Sequence, residues 1–264
     1  MIDLHALSFR YRQDWVLDDL SFQIERGEFV GIIGPNGSGK STLLKTLCRL
    51  LSPQKGEILL DRVPLTEMSQ REIAKKIAVV PQETYSLFPF RVIEMVLMGR
   101  SPYLGSLLFE GPKDLEIAQR AMAWTEILPI SERFIDELSG GERKRVFIAR
   151  ALAQEPEVIL LDEPTANLDI HHQVDFLHLI LSLNREQGLT ILMASHDLNI
   201  ASDYCDRLIL LKEGRIYKIG SPREVITREH IEAVYGCSVW VDDHPISGMP
   251  RITLLKKGTP LHET

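Results

Sequence analysis

Long apolar runs are missing from this chain. The longest, such as Val158 to Leu161 and Leu189 to Ala194, fall far short of the about 20 residues that cross a bilayer as a helix. The opening residues Met1-Ile2-Asp3-Leu4-His5 offer neither a positive start nor an apolar segment, so no export signal is expected. Cysteine is scarce as well. Cys48, Cys205 and Cys237 stand apart with no C-x-x-C pair, which argues against a disulfide frame and fits reduced thiols in a cytoplasm. The histidines, including the His171-His172 pair, show no metal-ligand spacing. Basic excess is lacking: 30 Lys and Arg against 37 Asp and Glu give a formal net charge of −7, so no global field invites nucleic acid. Heptads, internal repeats and low-complexity segments are absent too. The expectation is a cytoplasmic protein whose membrane role, if any, comes through a partner.

With 264 residues, 44% hydrophobic and 25% charged, the chain can bury one large α/β core with an inserted subdomain, or two small domains. The first stretch reads as short strands, Ile2 to Tyr11 and Leu20 to Ile24. Arg26-Gly27 then turns into the apolar run Phe29-Val30-Gly31-Ile32-Ile33. A helix is expected from Lys40 to Leu50, a strand at Glu57 to Leu60, an amphipathic piece at Gln70 to Lys76 and a strand at Ile77 to Val80. From Glu83 to Ile135 apolar residues recur at helical spacing, first around Val92 to Met98 and then from Leu115 to Trp124. Arg100 to Pro112, with Pro102, Gly105 and Gly111, reads as the loop between them. After Ser139 the pattern alternates: helix Gly140 to Gln154, strand Val158 to Leu161, helix His172 to Glu186, strand Thr190 to Met193, helix Leu198 to Cys205. Such continuous apolar strands between helices predict a parallel sheet covered on both faces. Lys212-Glu213-Gly214 reads as a hairpin turn, and Ser221 before Pro222, like Thr227, as a helix N-cap. Two short strand-like runs lie within Val239 to Leu255.

Residues 34 to 42, Gly34-Pro35-Asn36-Gly37-Ser38-Gly39-Lys40-Ser41-Thr42, match G-x-x-x-x-G-K-[ST] between a strand and a helix. Gly34, Gly37 and Gly39 let successive N–H groups point at phosphate oxygens, and the helix start adds positive potential. Lys40 can reach β/γ-phosphates and the Ser41 hydroxyl can ligate Mg²⁺. The cofactors expected are therefore ATP and Mg²⁺. Val158 to Leu161 emerges into Asp162-Glu163, where Asp162 can hold Mg²⁺ opposite Ser41 and Glu163 can polarise an attacking water. In Leu138-Ser139-Gly140-Gly141-Glu142, Ser139 and Glu142 have capping-box spacing, and the two glycines permit close approach of an anion.

Together with Arg143-Lys144-Arg145 and Ile148 to Leu152, this last peptide resembles the signature of the ATP-binding cassette family, from about Ile2 to Gly236. The resemblance implies a phosphate-loop (RecA-like) α/β core with a mixed sheet, an N-terminal antiparallel β subdomain and an inserted α-helical subdomain. It places the ATPase domain at 1–236, with 1–83 and 136–236 as core, 84–135 as insertion, and 237–264 as a short extension. It also implies roles. Tyr11 would stack on adenine, Gln82 would meet Mg²⁺ or the lytic water, Asp169 in Asn167-Leu168-Asp169 would cross to a partner, and His196 would contact the γ-phosphate. Ser139-Gly140-Gly141 would cap the nucleotide held by Lys40 of a second copy, making a head-to-tail homodimer glued by ATP.

Three function classes compete: transporter motor, soluble cassette protein, and phosphate-loop kinase. Glu163 beside Asp162 suits water activation and disfavours the kinase. A single cassette with an acidic balance disfavours the ribosome- and DNA-directed members. Val96 to Tyr103, Leu168 to Gln173 and His196 to Asn199 are similar to importers of ferric siderophores, haem and cobalamin. The resemblance therefore implies permease partners, indirectly a periplasmic or lipid-anchored substrate-binding protein, no nucleic acid, and a peripheral place on the cytoplasmic face of the membrane. Another cargo, or a soluble ATPase uncoupled from transport, is the alternative.

Overall fold

Strands that are apolar along their whole length have no face to give to water, and must lie between two layers. The computed structural model describes residues 1–82, 88–105 and 109–256; parts of the expected insertion (83–87 and 106–108) and of the extension (257–264) lie outside them. The chain opens with β1 (Ile2–Phe9), β2 (Leu17–Ile24) and β3 (Phe29–Ile33), then α1 (Lys40–Leu47), β4 (Lys55–Leu60) and β5 (Val63–Pro64). Next come α2 (Gln70–Lys76), β6 (Ile77–Val80), α3 (Val92–Leu97), a 3-10 turn (Met98–Tyr103), α4 (Pro112–Trp124) and α5 (Gly140–Ala153). Then β7 (Val158–Asp162), α6 (Ile170–Gln187), β8 (Thr190–Ser195) and α7 (Leu198–Tyr204) lead to the hairpin β9 (Arg207–Lys212) and β10 (Arg215–Gly220). Helices α8 (Pro222–Val225) and α9 (Arg228–Tyr235) precede a last hairpin, β11 (Val239–Asp243) and β12 (Pro250–Leu254).

The central sheet has the order β10-β9-β3-β8-β7-β6, parallel from β9 to β6, with β10 antiparallel at one edge. A second, antiparallel sheet has the order β2-β1-β4-β5. Alternate residues of the central strands go to opposite cores. Phe29, Ile33, Ile159, Leu161, Ile191 and Met193 join α3, α4, α5 and α6 on one side. Val30, Ile32, Val158, Leu160 and Leu192 join α1 and the antiparallel sheet on the other. The helical segment thus shares its core with the sheet.

Helix starts follow the expected signals. Ser69 and Ser139 close capping boxes on α2 and α5, Thr227 caps α9, and Ser221 precedes Pro222 at the start of α8. Two local expectations differ. The first helix stops at Leu47, not Leu50, because Arg49 adopts φ +54° and the N–H groups of Leu50 and Leu51 return to Lys45 O at 2.9 and 3.1 Å. The Arg49 guanidinium, bound to the Leu65 and Met68 carbonyls, holds this non-glycine end in place. Arg100, expected to open a loop, is instead buried in the 3-10 turn. It bonds Asp114 Oδ1 at 2.9 Å, Glu155 Oε2 at 2.9 Å and Ala153 O at 2.7 Å, and lies 4.0 Å above the Tyr103 ring. Three acceptors from two other segments compensate the charge, so the turn can be interior despite Pro102.

Leu160 is fully buried in the core that backs α1. Leu160→Ala should cost about 3 kcal/mol and lower Tm by roughly 6–12 °C in a thermal melt.

Candidate functional site

Between the end of β3 and the start of α1 the chain folds back in residues 34–39. Gly39, just before the helix, has φ +102°, and a Cβ there would stand 2.7 Å from Leu17 Cδ2 and 2.9 Å from Val16 O. Only glycine fits both the conformation and the space. α1 then brings the unpaired N–H groups of its first turn to the end of the loop. Lys40 Nζ bends back and donates to Gly34 O at 2.8 Å and Pro35 O at 3.2 Å. Burial disfavours the ammonium and holds its pKa below the ordinary value, against the attraction of Glu163 and Asp162. Among the described residues, Ser38 Oγ is buried without a hydrogen-bond partner. Such an orphan costs about 1–3 kcal/mol, which a phosphate oxygen in the loop would relieve.

Ser41 Oγ donates to Asp162 Oδ1 at 2.9 Å. Burial raises the Asp162 pKa; the Ser41 hydrogen bond opposes the rise and the Glu163 charge adds to it. A hydroxyl and a carboxylate converging beside a phosphate loop are the hard oxygen donors that suit Mg²⁺, which completes its shell with water and phosphate.

The register of the sheet sets the next layer. Asp162 lies beside Ala194, so Glu163 and His196 leave neighbouring strands at one edge, and Glu163 N donates to Ala194 O at 3.0 Å. His196 Nδ1 lies 3.1 Å from Glu163 Oε2. Gln82, two residues beyond the end of β6, donates from Nε2 to the same oxygen at 3.2 Å. Three adjacent strands therefore deliver an amide and an imidazole to one carboxylate oxygen. Glu163 itself has φ +45°, a left-handed conformation that costs a side-chain-bearing residue about 1–2 kcal/mol.

A second cluster forms around the start of α5. Ser139 Oγ accepts from Glu142 N at 3.2 Å, and Glu142 Oε2 accepts from Ser139 N at 2.8 Å. Those bonds hold the Glu142 carboxyl below the usual range. Asp169 caps α6, accepting from His172 N at 2.9 Å, and sits 2.8 Å from His172 Nδ1. The His172 ring occupies the space a Cβ on Gly141 would need, which joins Asp169 to the Ser139-Gly140-Gly141 peptide. No hydrogen bond among the described residues links that peptide to residues 34–42 of the same chain. Tyr11 stands outside both clusters, just past β1, 58% exposed and perpendicular to Phe9 at a ring distance of 4.9 Å.

Two contributors lie inside the importer-like stretches Leu168 to Gln173 and His196 to Asn199 without a role assigned to them there. Asp197 caps α7 directly after His196, its Oδ1 accepting from Asn199 N and Ile200 N at 3.0 Å, and its place before a helical run was a readable signal. Gln173 Nε2 donates to Leu168 O at 3.0 Å and pins the loop before Asp169; no local pattern marks it.

A phosphate loop, a hydroxyl–carboxylate pair and a braced carboxylate at parallel strand ends define the class of phosphate-loop nucleoside triphosphatases. Residues 17–166 match the family model described as ABC transporter. The ferric enterobactin transport ATP-binding protein FepC of Escherichia coli is 41% identical over 254 residues, covering 96% of this chain and 94% of that protein. The hemin import ATP-binding protein HmuV of Gloeobacter violaceus is 40% identical, covering 99% of this chain and 96% of that protein. A dimeric ATP-binding cassette in a post-hydrolysis state with ADP and Pi superposes with a TM-score of 0.73 at 32% identity, covering 84% of this chain and 98% of that one. The chain belongs to the ABC transporter family, whose cassettes bind and hydrolyse ATP.

A bound polyphosphate favours the Lys40 ammonium that burial disfavours, so nucleotide binding should take up protons at alkaline pH. Below the lowered pKa the amine is charged in both states and nothing is taken up; above it, ADP affinity falls as pH rises. Calorimetry in buffers of different ionisation heat measures this, and an affinity flat up to about pH 10 contradicts it.

Proposed function

We propose that this chain is the ATP-hydrolysing subunit of a membrane importer that takes up an iron chelate (siderophore or haem) or cobalamin through separate permease subunits. The observation that carries the hydrolytic half is the meeting of Gln82 and His196 on Glu163 Oε2 beside the phosphate loop. The transport half is supported by similarity to two uptake proteins along nearly their whole lengths. No helix among the described residues is long and apolar enough to cross a membrane. On this reading the chain works at the cytoplasmic face of the membrane, held there by the permease, and a substrate-binding protein on the far side selects the cargo.

The exposed Tyr11 ring offers a flat face to the adenine, a contact that needs only a π surface. Lys40 exchanges the Gly34 and Pro35 carbonyls for β/γ-phosphate oxygens, and the Ser38 hydroxyl gains a partner. Ser41, Asp162 and Gln82 are the residues that would hold Mg²⁺, which would neutralise charge on the phosphates. Glu163 acts as general base. With Oε2 engaged by Gln82 and His196, Oε1 is the oxygen left to accept a proton from water, and His196 steadies the γ-phosphate. The Ser139-Gly140-Gly141 peptide makes no hydrogen bond to its own phosphate loop among the described residues, and we assign it to the γ-phosphate of a second copy in a head-to-tail homodimer. The N-terminus of α5 then supplies positive potential and shuts out water on the open side of the triphosphate, with Asp169 crossing beside it.

Glu163→Gln keeps shape and removes the base, so ATP turnover should fall by about 10²–10⁴. The same variant should accumulate as an ATP-dependent dimer in light scattering; a species that stays monomeric at saturating ATP would falsify the sandwich. Reconstituted with a siderophore-, haem- or cobalamin-type permease, the wild-type chain should show permease-stimulated ATPase. Turnover indifferent to every such permease removes the transport assignment.

A further inference from the structure

We propose that Lys144 is a positioning residue for hydrolysis, tying the middle of α5 to the turn that carries Glu163. The inference rests on the ATPase reading above. Gly141, Lys144, Ile148 and Ala151 recur at helical spacing, and all four are buried, so Lys144 points into the protein from the inner face of α5. Its Nζ donates to the carbonyl of Pro164, the residue after Glu163. Among the described residues it has no carboxylate within ion-pair distance, and Glu163 is the acidic group whose charge it feels. Burial lowers its pKa to about 8. A buried ammonium with so little compensation is a standing cost, and an apolar side chain would pack there at less expense.

The turn it touches carries a cost of its own. Glu163 is held at φ +45°, and such a conformation persists only where the surroundings over-determine it. The ties are few. Glu163 N reaches Ala194 O at 3.0 Å, Ala166 N reaches Glu163 O at 3.2 Å, and Gln173 grips the loop further on at Leu168 O. Pro164 has no N–H, so its carbonyl, in the peptide plane it shares with Thr165, is the handle by which a neighbour can fix the residue next to Glu163. Lys144 takes that handle. Without it the plane can rotate, Glu163 can relax toward ordinary backbone, and its carboxylate leaves Gln82 and His196. Two costly features, a bare buried cation and a left-handed glutamate, thus meet at one catalytic carboxylate.

The tie also has a direction. α5 begins at Ser139-Gly140-Gly141, the peptide assigned to the neighbour's nucleotide, and Lys144 is one turn further along. When that peptide docks on a triphosphate, any shift of α5 reaches Glu163 of the same chain through a single hydrogen bond. One site would then report its occupancy to the base of the other.

Lys144→Met and Lys144→Gln of the full chain decide this, with ATP turnover, ADP affinity and thermal melting measured on each. K144M should melt at or above the wild type, with KM and ADP affinity within about twofold, while kcat falls about 10- to 100-fold, the scale of a misplaced catalytic group. K144Q keeps an N–H donor toward Pro164 and should recover most of that turnover. A K144M protein with wild-type kcat overturns the proposal. So does one that fails to fold, or one whose loss of kcat tracks a loss of melting temperature also seen in K144Q, because each makes Lys144 a packing residue. A wild-type chain that binds ATP and never hydrolyses it is a separate result and overturns the ATPase reading itself.

Discussion

The parallel register of β3, β8 and β7 is the constraint on which the rest of this protein depends. Ile32 pairs with Ala194, and Ala194 with Asp162, so these strands run out at the same level. Just past that level each must turn, and each turn carries polar chemistry: the phosphate loop after β3, Glu163 after β7, His196 after β8. The arrangement is possible because the strands are apolar on both faces and need both layers of helix and sheet to hide them. A slip of one residue would exchange the two cores and move Asp162 away from Ser41.

Several of the structure's costs lie at that edge. Lys40 and Lys144 are buried cations whose charged forms burial disfavours, Asp162 is a half-buried acid pushed the opposite way, and Ser38 has a hydroxyl with no partner among the described residues. Glu163 sits in a backbone conformation its side chain resists. By contrast, Arg100 has three acceptors, and Arg26 and Lys76 are shared between Asp61 and Glu157. That contrast is what a site built for a polyanion requires: positive groups and free donors kept in place before the ligand arrives, with stability drawn from the two apolar cores.

Bracing comes from parts of the chain far from the phosphate loop. The helix that starts after His196 is tied to the last hairpin, where Asn199 exchanges hydrogen bonds with the Ile252 backbone at 2.8 and 3.2 Å and Ser202 donates to Pro250 O at 2.7 Å. On the other flank Gln173 and His172 lock the start of α6 to the loop and glycines before it. A rigid scaffold under each catalytic group is the expected support for chemistry that works by positioning.

Local chemistry made much of this legible in advance. The phosphate loop, the acidic pair at the end of an apolar strand, the Ser139 cap and the alternating strands and helices follow from residue type and spacing, because each rests on interactions within a few residues. Other features depended on partners 20 to 55 residues away, and no local pattern encodes those. Arg100 reads as a loop residue until Ala153 and Glu155 are beside it, and Lys144 reads as one of three basic residues until Pro164 meets it. The sequence by itself determined which residues could bind a polyphosphate and where strands and helices had to lie. Only the tertiary structure decided that Gln82 and His196 meet on one oxygen of Glu163, because strand order and register are set by packing the whole sheet at once.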